Sequence, residues 1–557
     1  MEKIKVAIFA LLLPFGLLAQ ETFVDISESA NIHHVYRPFE GFFGGSAAVL
    51  DYNQDGWEDV YITGGLNSDQ LLRNNKNGTF TNLLEEAGFS ITQDYVTIGV
   101  ASADVNRDGF PDLLITTNKR KNQDQVIPRA KNLLFINQKN GKFKELSDEF
   151  GIGNIETFST GIAFGDINLD GYPDIYIGNY FKGYQGGLKE ISDATIVNAK
   201  NTSEGLLYLN LEGKRFENVY EKYGLNHKGY GFGGIMTDFD NDGDLDILVL
   251  NDFGYKAPHN FLLENQFPRQ EFSYVDEKYG MDLRINAMGA ATNDFNGDGS
   301  LDYFIPNIRF NQMMVRKNLK NSFIESAELV GMKNYSISWG TNFADFDQDG
   351  DEDLFIANGD LNPNCQPFFN YFYENKGGKF EEIAYQIGLK DYGIGRGSVV
   401  FDFDNDGDLD ILLVNQEAVL DYPTETKTRL FRNDFSKGNY LKIKLKGKNS
   451  TMEGLGARIE LMDGDFYAQR EVDGGNTSHM SHNSRIVHFG VGDKTTIHKI
   501  RIIWPGGHRQ DLSNVPVNQL IEVVEEDYER PNPSNNLIYW LIGGLILLVF
   551  LFFNRKK

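Results

Sequence analysis

From residue 21 to residue 436 the chain alternates short apolar runs with polar, glycine-rich turns. One kind of run is β-branched or leucine-rich, such as LDILVLN at 245–251. A second follows as LLRNN, LLFIN, LLYLN, FLLEN, MMVRKN, YFYEN and RLFRN. A Gly- or Lys-rich turn then leads to a strand carrying Phe80, Phe143, Phe216, Phe272, Phe323 or Phe380. Apolar runs of this length between turn residues read as β-strands. They predict about four strands per unit, the content of a propeller blade. After Asn439 the pattern changes to alternating runs such as YLKIKLKG and ARIEL, which predict half-buried antiparallel strands. The expected fold class is all-β: a seven-bladed β-propeller over 21–436, a β-sandwich-like domain over 437–526 and one C-terminal transmembrane helix.

The unit is marked by a nine-residue loop: Asp, any, Asn or Asp, any, Asp, Gly, any, any, Asp. Its four oxygen-bearing residues are Asp51, Asn53, Asp55 and Asp59 in the first copy, and Asp104, Asn106, Asp108 and Asp112 in the second. The third has Asp166, Asn168, Asp170 and Asp174; the fourth has Asp238, Asp240, Asp242 and Asp246. The fifth has Asp294, Asn296, Asp298 and Asp302; the sixth has Asp345, Asp347, Asp349 and Asp353; the seventh has Asp402, Asp404, Asp406 and Asp410. First residues run from 51 to 402, an average interval of about 58 residues, close to the longer propeller repeats. The widest interval, 166 to 238, takes its extra length in 180–204, which reads as an exposed excursion.

Oxygen-only ligands around a glycine turn suit a hard cation, and a flexible loop favours Ca²⁺, at up to seven sites. An EF-hand would need an acid at position twelve, where this chain has Ile62, Ile115, Ile177, Val249, Ile305, Ile356 and Leu413. Each loop therefore feeds a buried strand. The bland alternative is a set of Asx turns, against which seven complete copies argue. A glycine stands five residues before six of the loops, including Gly161, Gly233, Gly289, Gly340 and Gly397. Five of the following strands end in Asn179, Asn251, Asn307, Asn358 or Asn415, read as turn caps in preference to ligand contacts. The phrase TFVDISESANI at 22–32 matches 79–89 and 142–152, so the N-terminal segment is expected to complete the last blade and close the ring.

With loop, spacing and closure together, 21–436 resembles the FG-GAP/VCBS propellers. The elements GLGAR, HFGVG, IRIIWPGG and NQ make the next domain resemble ASPIC/UnbV domains. The pair resembles the cartilage acidic protein-like family, which implies an extracellular acidic protein with no well-defined chemistry to carry over. Where a glutamine-containing stretch is expected near HFG, this chain has SHMSHNS at 478–484.

Residues 1–20 read as a secretory signal, with Lys3 and Lys5 before an apolar stretch. Residues 537–553 form an uncharged apolar run after a polar linker (527–536), and Asn554, Arg555, Lys556 and Lys557 follow as a cytoplasmic tail. A sorting tail removed during surface attachment is the runner-up. Net charge is −26, from 53 basic and 79 acidic residues, which argues against nucleic acid as a partner. The lone Cys365 permits no internal disulfide. His33 and His34, and the group His479, His482 and His488, are the best catalytic material; the spacing His479–x–x–His482 could place two imidazoles on one metal if the segment is a loop, and surface histidines are the plainer reading. The expected function is a membrane-tethered extracellular or periplasmic binding or adhesion module for a protein or glycan. The alternatives are an enzyme acting on extracellular polysaccharide or another envelope substrate, with its site in the propeller channel or the second domain, and a structural envelope component.

Overall fold

The computed structural model describes residues 22–40, 42–122, 129–180, 182, 201–361 and 366–528. Cys365, the signal segment and the 537–553 run lie outside them. Among the described residues no helix is long and apolar enough to cross a membrane.

Among the described residues the apolar runs form seven successive antiparallel sheets, each carrying one loop between its first two strands. The second is typical: Tyr95–Ala103, Asp112–Arg120, Leu133–Asn137 and Phe143–Glu145, paired in that order. The sixth gains a fifth strand, Ile308–Phe310, on its first. The seventh is completed by Phe23–Asp25, with Phe23 opposite Asn433, so the N-terminal segment closes the ring as expected. Bonds then run from sheet to sheet all the way round. Ser46 Oγ donates to Ile98 O (2.8 Å), Thr160 Oγ1 to Gly231 O (2.8 Å) and Phe253 N to Asn286 Oδ1 (3.0 Å). Thr116 Oγ1 donates to Thr160 O (2.5 Å), Ser338 N to Asn307 O (3.3 Å), Ser398 Oγ to Asn342 Oδ1 (2.5 Å) and Gly397 N to Gly45 O (2.8 Å). The arrangement is propeller-like. Apolar clusters fill the wedges between neighbouring sheets, as with Tyr61, Phe89, Leu113 and Phe135 between the first and second.

A second ring of bonds is built by the residue ending each third strand. Asn137 Nδ2 donates to Tyr52 O (2.8 Å), Asn210 to Val105 O (2.8 Å) and Asn265 to Ile167 O (2.8 Å). Asn375 reaches Phe295 O, Asn433 reaches Phe346 O, and Asn74 reaches Phe403 O across the closure. The fifth sheet has Arg316 instead, directly after its third strand Gln312–Val315, and its Nη2 donates to Phe239 O. Every acceptor is the second residue of the preceding sheet's loop, so each loop is held by the next sheet.

The second domain is a sandwich of a three-stranded sheet, in the order Val487–Gly492, Asn439–Lys446, Gln519–Val524, and a four-stranded one. The alternating pattern of 439–446 predicts antiparallel partners; Asn439–Lys446 does pair antiparallel with Val487–Gly492, but its other neighbour, Gln519–Val524, runs parallel. Parity of burial sets which face a residue occupies and says nothing of neighbour direction. The domain's core, including Trp504 and Phe489, is continuous with the wedge between the second and third ring sheets. Replacing Asn265 with Ala strands two buried carbonyls, Ile167 O and Leu245 O. The expected loss is roughly 1–3 kcal/mol in denaturant unfolding, and an unchanged midpoint refutes the staple.

Candidate metal centre

Two left-handed residues curl each loop. In the second loop Arg107 has φ 58° and Gly109 φ 90°; in the seventh Asn405 has 59° and Gly407 100°. Glycine is needed at the sixth position because side chains resist that conformation. The first carboxylate then accepts two backbone N–H groups, as Asp104 does from Asp108 (2.9 Å) and Gly109 (2.6 Å). The same pair of bonds is made by Asp51, Asp166, Asp238, Asp294, Asp345 and Asp402. The ninth carboxylate faces back over the loop: Asp112 accepts from Val105 N (3.1 Å) and from Asn137 N (2.8 Å). Asn137 is also the staple residue, so loop and staple are one construction.

The first, third and ninth residues converge. Ligand oxygens of Asp238, Asp240 and Asp246 lie within 4.8 Å of one another, as do those of Asp345, Asp347 and Asp353, and of Asp402, Asp404 and Asp410. In the other loops the third residue is Asn53, Asn106, Asn168 or Asn296, and its amide oxygen accepts the fifth residue's N–H, as Asp347 does from Asp349. The fifth residues Asp242, Asp349 and Asp406 stand outside the three triplets and accept from the seventh residue's N–H. Asp55, Asp108, Asp170 and Asp298 do the same. Asp240 Oδ1 and Asp404 Oδ1 are buried without a hydrogen-bond partner. Clustered hard oxygens with unspent lone pairs fit a divalent cation of the calcium type. The ninth-position carboxyls Asp59, Asp112, Asp174, Asp246, Asp353 and Asp410 are pushed well above the usual range by burial. Asp302 is raised to about 9 by burial. Burial and then neighbouring carboxylates raise Asp240 and Asp404 to about 6. Burial with Glu453 raises Asp104 to about 7, and burial with Glu471 raises Asp238 to about 8.

The second domain covers this loop face. Glu453 Oε1 accepts from Asp104 N (2.7 Å), Glu471 Oε1 from Asp238 N (2.9 Å), and Gly506 N donates to Gly243 O (2.7 Å). Gly492 N donates to Gln348 O (2.9 Å) and His488 Nε2 to Gly407 O (2.9 Å). Ser484 Oγ reaches Glu58 Oε1 (2.6 Å) beside the first loop, and Arg470 Nη1 reaches Asn293 Oδ1 (3.3 Å) beside the fifth. A Cβ on Gly171 of the third loop would lie 2.5 Å from Asn449 O.

The segment 474–483 enters the middle of the ring and bonds to all seven sheets or their lead-ins. Ser481 Oγ accepts from Ala47 N, Met480 O from Val100 N, and Gly474 O from Phe164 N. Asn476 Nδ2 donates to Gly234 O and His479 Nδ1 to Met288 O; Ser478 Oγ accepts from both Thr341 N and Ser398 N. The glycines five residues before the loops make room for it: a Cβ on Gly161 would fall 2.0 Å from Asn476 Oδ1, and one on Gly397 2.3 Å from Ser481 Oγ. The channel is thus filled by the chain itself. His479, His482 and His488 are buried rather than surface residues, and they face different partners: Met288 O, Ser102 N and Gly407 O. Burial pulls His479 and His488 down to about 3 and His482 well below the usual range, so all are neutral packing groups; among the described residues none falls in a cluster able to hold a metal. His34 is buried against Thr428, and His33 is exposed beside Glu28. Asn179, Asn251, Asn307, Asn358 and Asn415 are buried turn caps, their Nδ2 groups donating to Glu204 O, His259 O, Phe310 O, Phe369 O and Lys427 O. A cavity of about 130 Å³ remains between ring and second domain, lined in part by Asn293, Asn342, Arg470, Glu471 and Asp473.

Residues 447–530 match the family model described as ASPIC and UnbV. Residues 51–115, 125–177, 294–356 and 345–413 match the FG-GAP-like repeat model. Cartilage acidic protein 1 of Xenopus tropicalis is 25% identical over 513 residues, covering 88% of this chain and 75% of that one. Cartilage acidic protein 1 of Homo sapiens is 25% identical over 458 residues, covering 78% and 65%. Among solved structures, an Agrocybe aegerita lectin recognising non-reducing terminal N-acetylglucosamine has TM-score 0.35 at 18% identity, over 72% of this chain and 92% of that one. The rhamnogalacturonan lyase YesW has TM-score 0.32 at 12% identity, over 68% and 70%. The chain therefore carries FG-GAP-like repeats followed by an ASPIC and UnbV domain, and its homologues include cartilage acidic protein 1.

Carboxyls whose folded-state pKa is raised stabilise the fold while protonated, and that contribution is lost as pH rises through the raised value. Cation-stripped protein is expected to lose stability from about pH 4 to pH 8, through the values near 6, 7 and 8 of Asp240, Asp104 and Asp238. Millimolar Ca²⁺ is expected to reverse the loss at pH 7–8. Thermal unfolding against pH, with and without Ca²⁺, checks both. Identical curves refute the cages.

Proposed function

We propose that this chain is a calcium-binding extracellular or periplasmic binding module. In this reading seven cages (Asp51 to Asp59 and its six repeats) hold a seven-bladed β-propeller over 21–436, capped by the 437–526 domain. The single observation that carries it is the same two-bond grip of the first aspartate in every loop, with unpartnered buried oxygens on Asp240 and Asp404. The signal at 1–20 sends the chain out. The apolar run 537–553, with basic residues after it, tethers it through the 527–536 linker.

The loop face and the channel are taken up by the second domain, so the partner meets the opposite face of the ring. There stand exposed apolar side chains at the starts of first strands and after second strands: Phe310, Tyr335, Tyr255, Val419 and Leu420. Phe310 and Tyr335 form an edge-to-face pair at 6.2 Å. Exposed aromatic pairs suit stacking on a sugar ring or packing on a protein side chain.

Glycan and peptide arrays read with Ca²⁺ and with chelator test the reading. Binding in Ca²⁺, lost on chelation and lowered at least about tenfold in Tyr335→Ala at unchanged melting temperature, is the expected outcome. No binding to either array leaves a structural component. Product released from a glycan would make the chain an enzyme.

A further inference from the structure

Among the described residues, the seventh loop is the one whose first aspartate is itself paired with a protein cation sealed within the domain interface. Arg470 also lies in that interface, but it pairs with Glu352 of the sixth loop and Asn293 beside the fifth, not with a converging residue. Lys442 lies on Asn439–Lys446, the middle strand of the second domain's three-stranded sheet. Its side chain is 7% exposed, and its Nζ donates to Asp402 Oδ2 at 2.5 Å and to Asn405 Oδ1 at 3.4 Å. Asp402 is the first residue of the loop and a member of its converging triplet with Asp404 and Asp410. The Tyr440 ring, stacked on His488, covers the site: its centroid is 5.9 Å from Nζ, and the ring lies where a Cβ on Gly407 would stand.

The other lysines near loops are placed differently. Lys437 Nζ is 2.9 Å from Asp347 Oδ2 in the sixth loop, but it is 55% exposed and shared with Glu374. Lys76 and Lys139 are exposed and face Asp55 and Asp108, fifth-position residues. Water screens these charges, whereas Lys442 acts on its loop across a covered interface.

We propose that Lys442 is a tethered cation that holds the divalent affinity of the seventh cage below that of its other four-aspartate counterparts, so that filling this cage competes with seating the second domain on the ring. The proposal rests on reading the loops as cation sites. A unit positive charge a few ångströms from a divalent ion repels it even at the dielectric of water, so its removal strengthens binding by about tenfold or more. The coupling is reciprocal: an ion in this cage loosens the grip of Asp402 on Lys442 by the same factor.

The test is a Ca²⁺ titration of the full chain by calorimetry, resolving individual sites, for wild type, Lys442→Gln, Lys442→Met, Lys442→Arg and Lys437→Gln. Lys442→Gln and Lys442→Met should each tighten one site by about tenfold or more. Lys442→Arg should match wild type, and Lys437→Gln should shift its site by about threefold or less. Methionine keeps the apolar stem and reads the same quantity should glutamine unfold the strand. A purely structural lesion weakens binding, so the direction of the change decides. Uptake by wild type with no tightening in either neutral variant overturns this proposal alone. No uptake by wild type overturns the calcium reading and this proposal with it.

Discussion

The constraint on which the rest of the structure depends is the crowding of carboxylates at the rim of the ring. Each loop bends so that two or three acids share a few ångströms, and burial makes their charge harder to bear. Asp238 illustrates the pressure. It sits among Asp240, Asp242 and Asp246, and Glu471 of the second domain adds another acid above it. Backbone N–H groups that donate to the first and ninth carboxylates offset part of the repulsion. The converging oxygens could hold a hard cation, which would offset the remainder.

The same acids are also joints. Asp112 receives the N–H of Asn137, and the Asn137 side chain crosses to the preceding loop at Tyr52. Repeated around the ring, this makes each cage depend on its neighbour's, and the last on the first through Asn74 and Phe403. Where Arg316 replaces the asparagine, its guanidinium lies over Phe323 at 4.6 Å and serves the same carbonyl position.

Much of this was legible in the residue pattern. The period of the loops, the apolar strand after each and the phrase shared by 22–32 and 79–89 lead to seven sheets and a ring closed by Phe23–Asp25. The strand-terminal asparagines of the third strands were also visible, in LLFIN and LLYLN, but their partners lie in a different repeat, so no local pattern could assign them. The histidines misled for a similar reason. His479 and His482 look like ligands by spacing, yet each ends against a different ring sheet, buried and neutral.

What the linear order of residues determined by itself was everything set by local geometry: strand, turn, loop chemistry and repeat number, because period-two burial and left-handed glycines act within a few residues. What only the tertiary structure decided was which surfaces survive. The SHMSHNS segment reads as a polar loop, and it becomes the filling of the ring because seven inner strands offer backbone donors and acceptors that water would otherwise have to satisfy. Lys442 likewise reads as an ordinary strand lysine, and it becomes part of a cage only because two separately folded sheets meet at Asp402. Contacts between elements hundreds of residues apart are set by shape and charge in three dimensions, and no sequence window contains both partners.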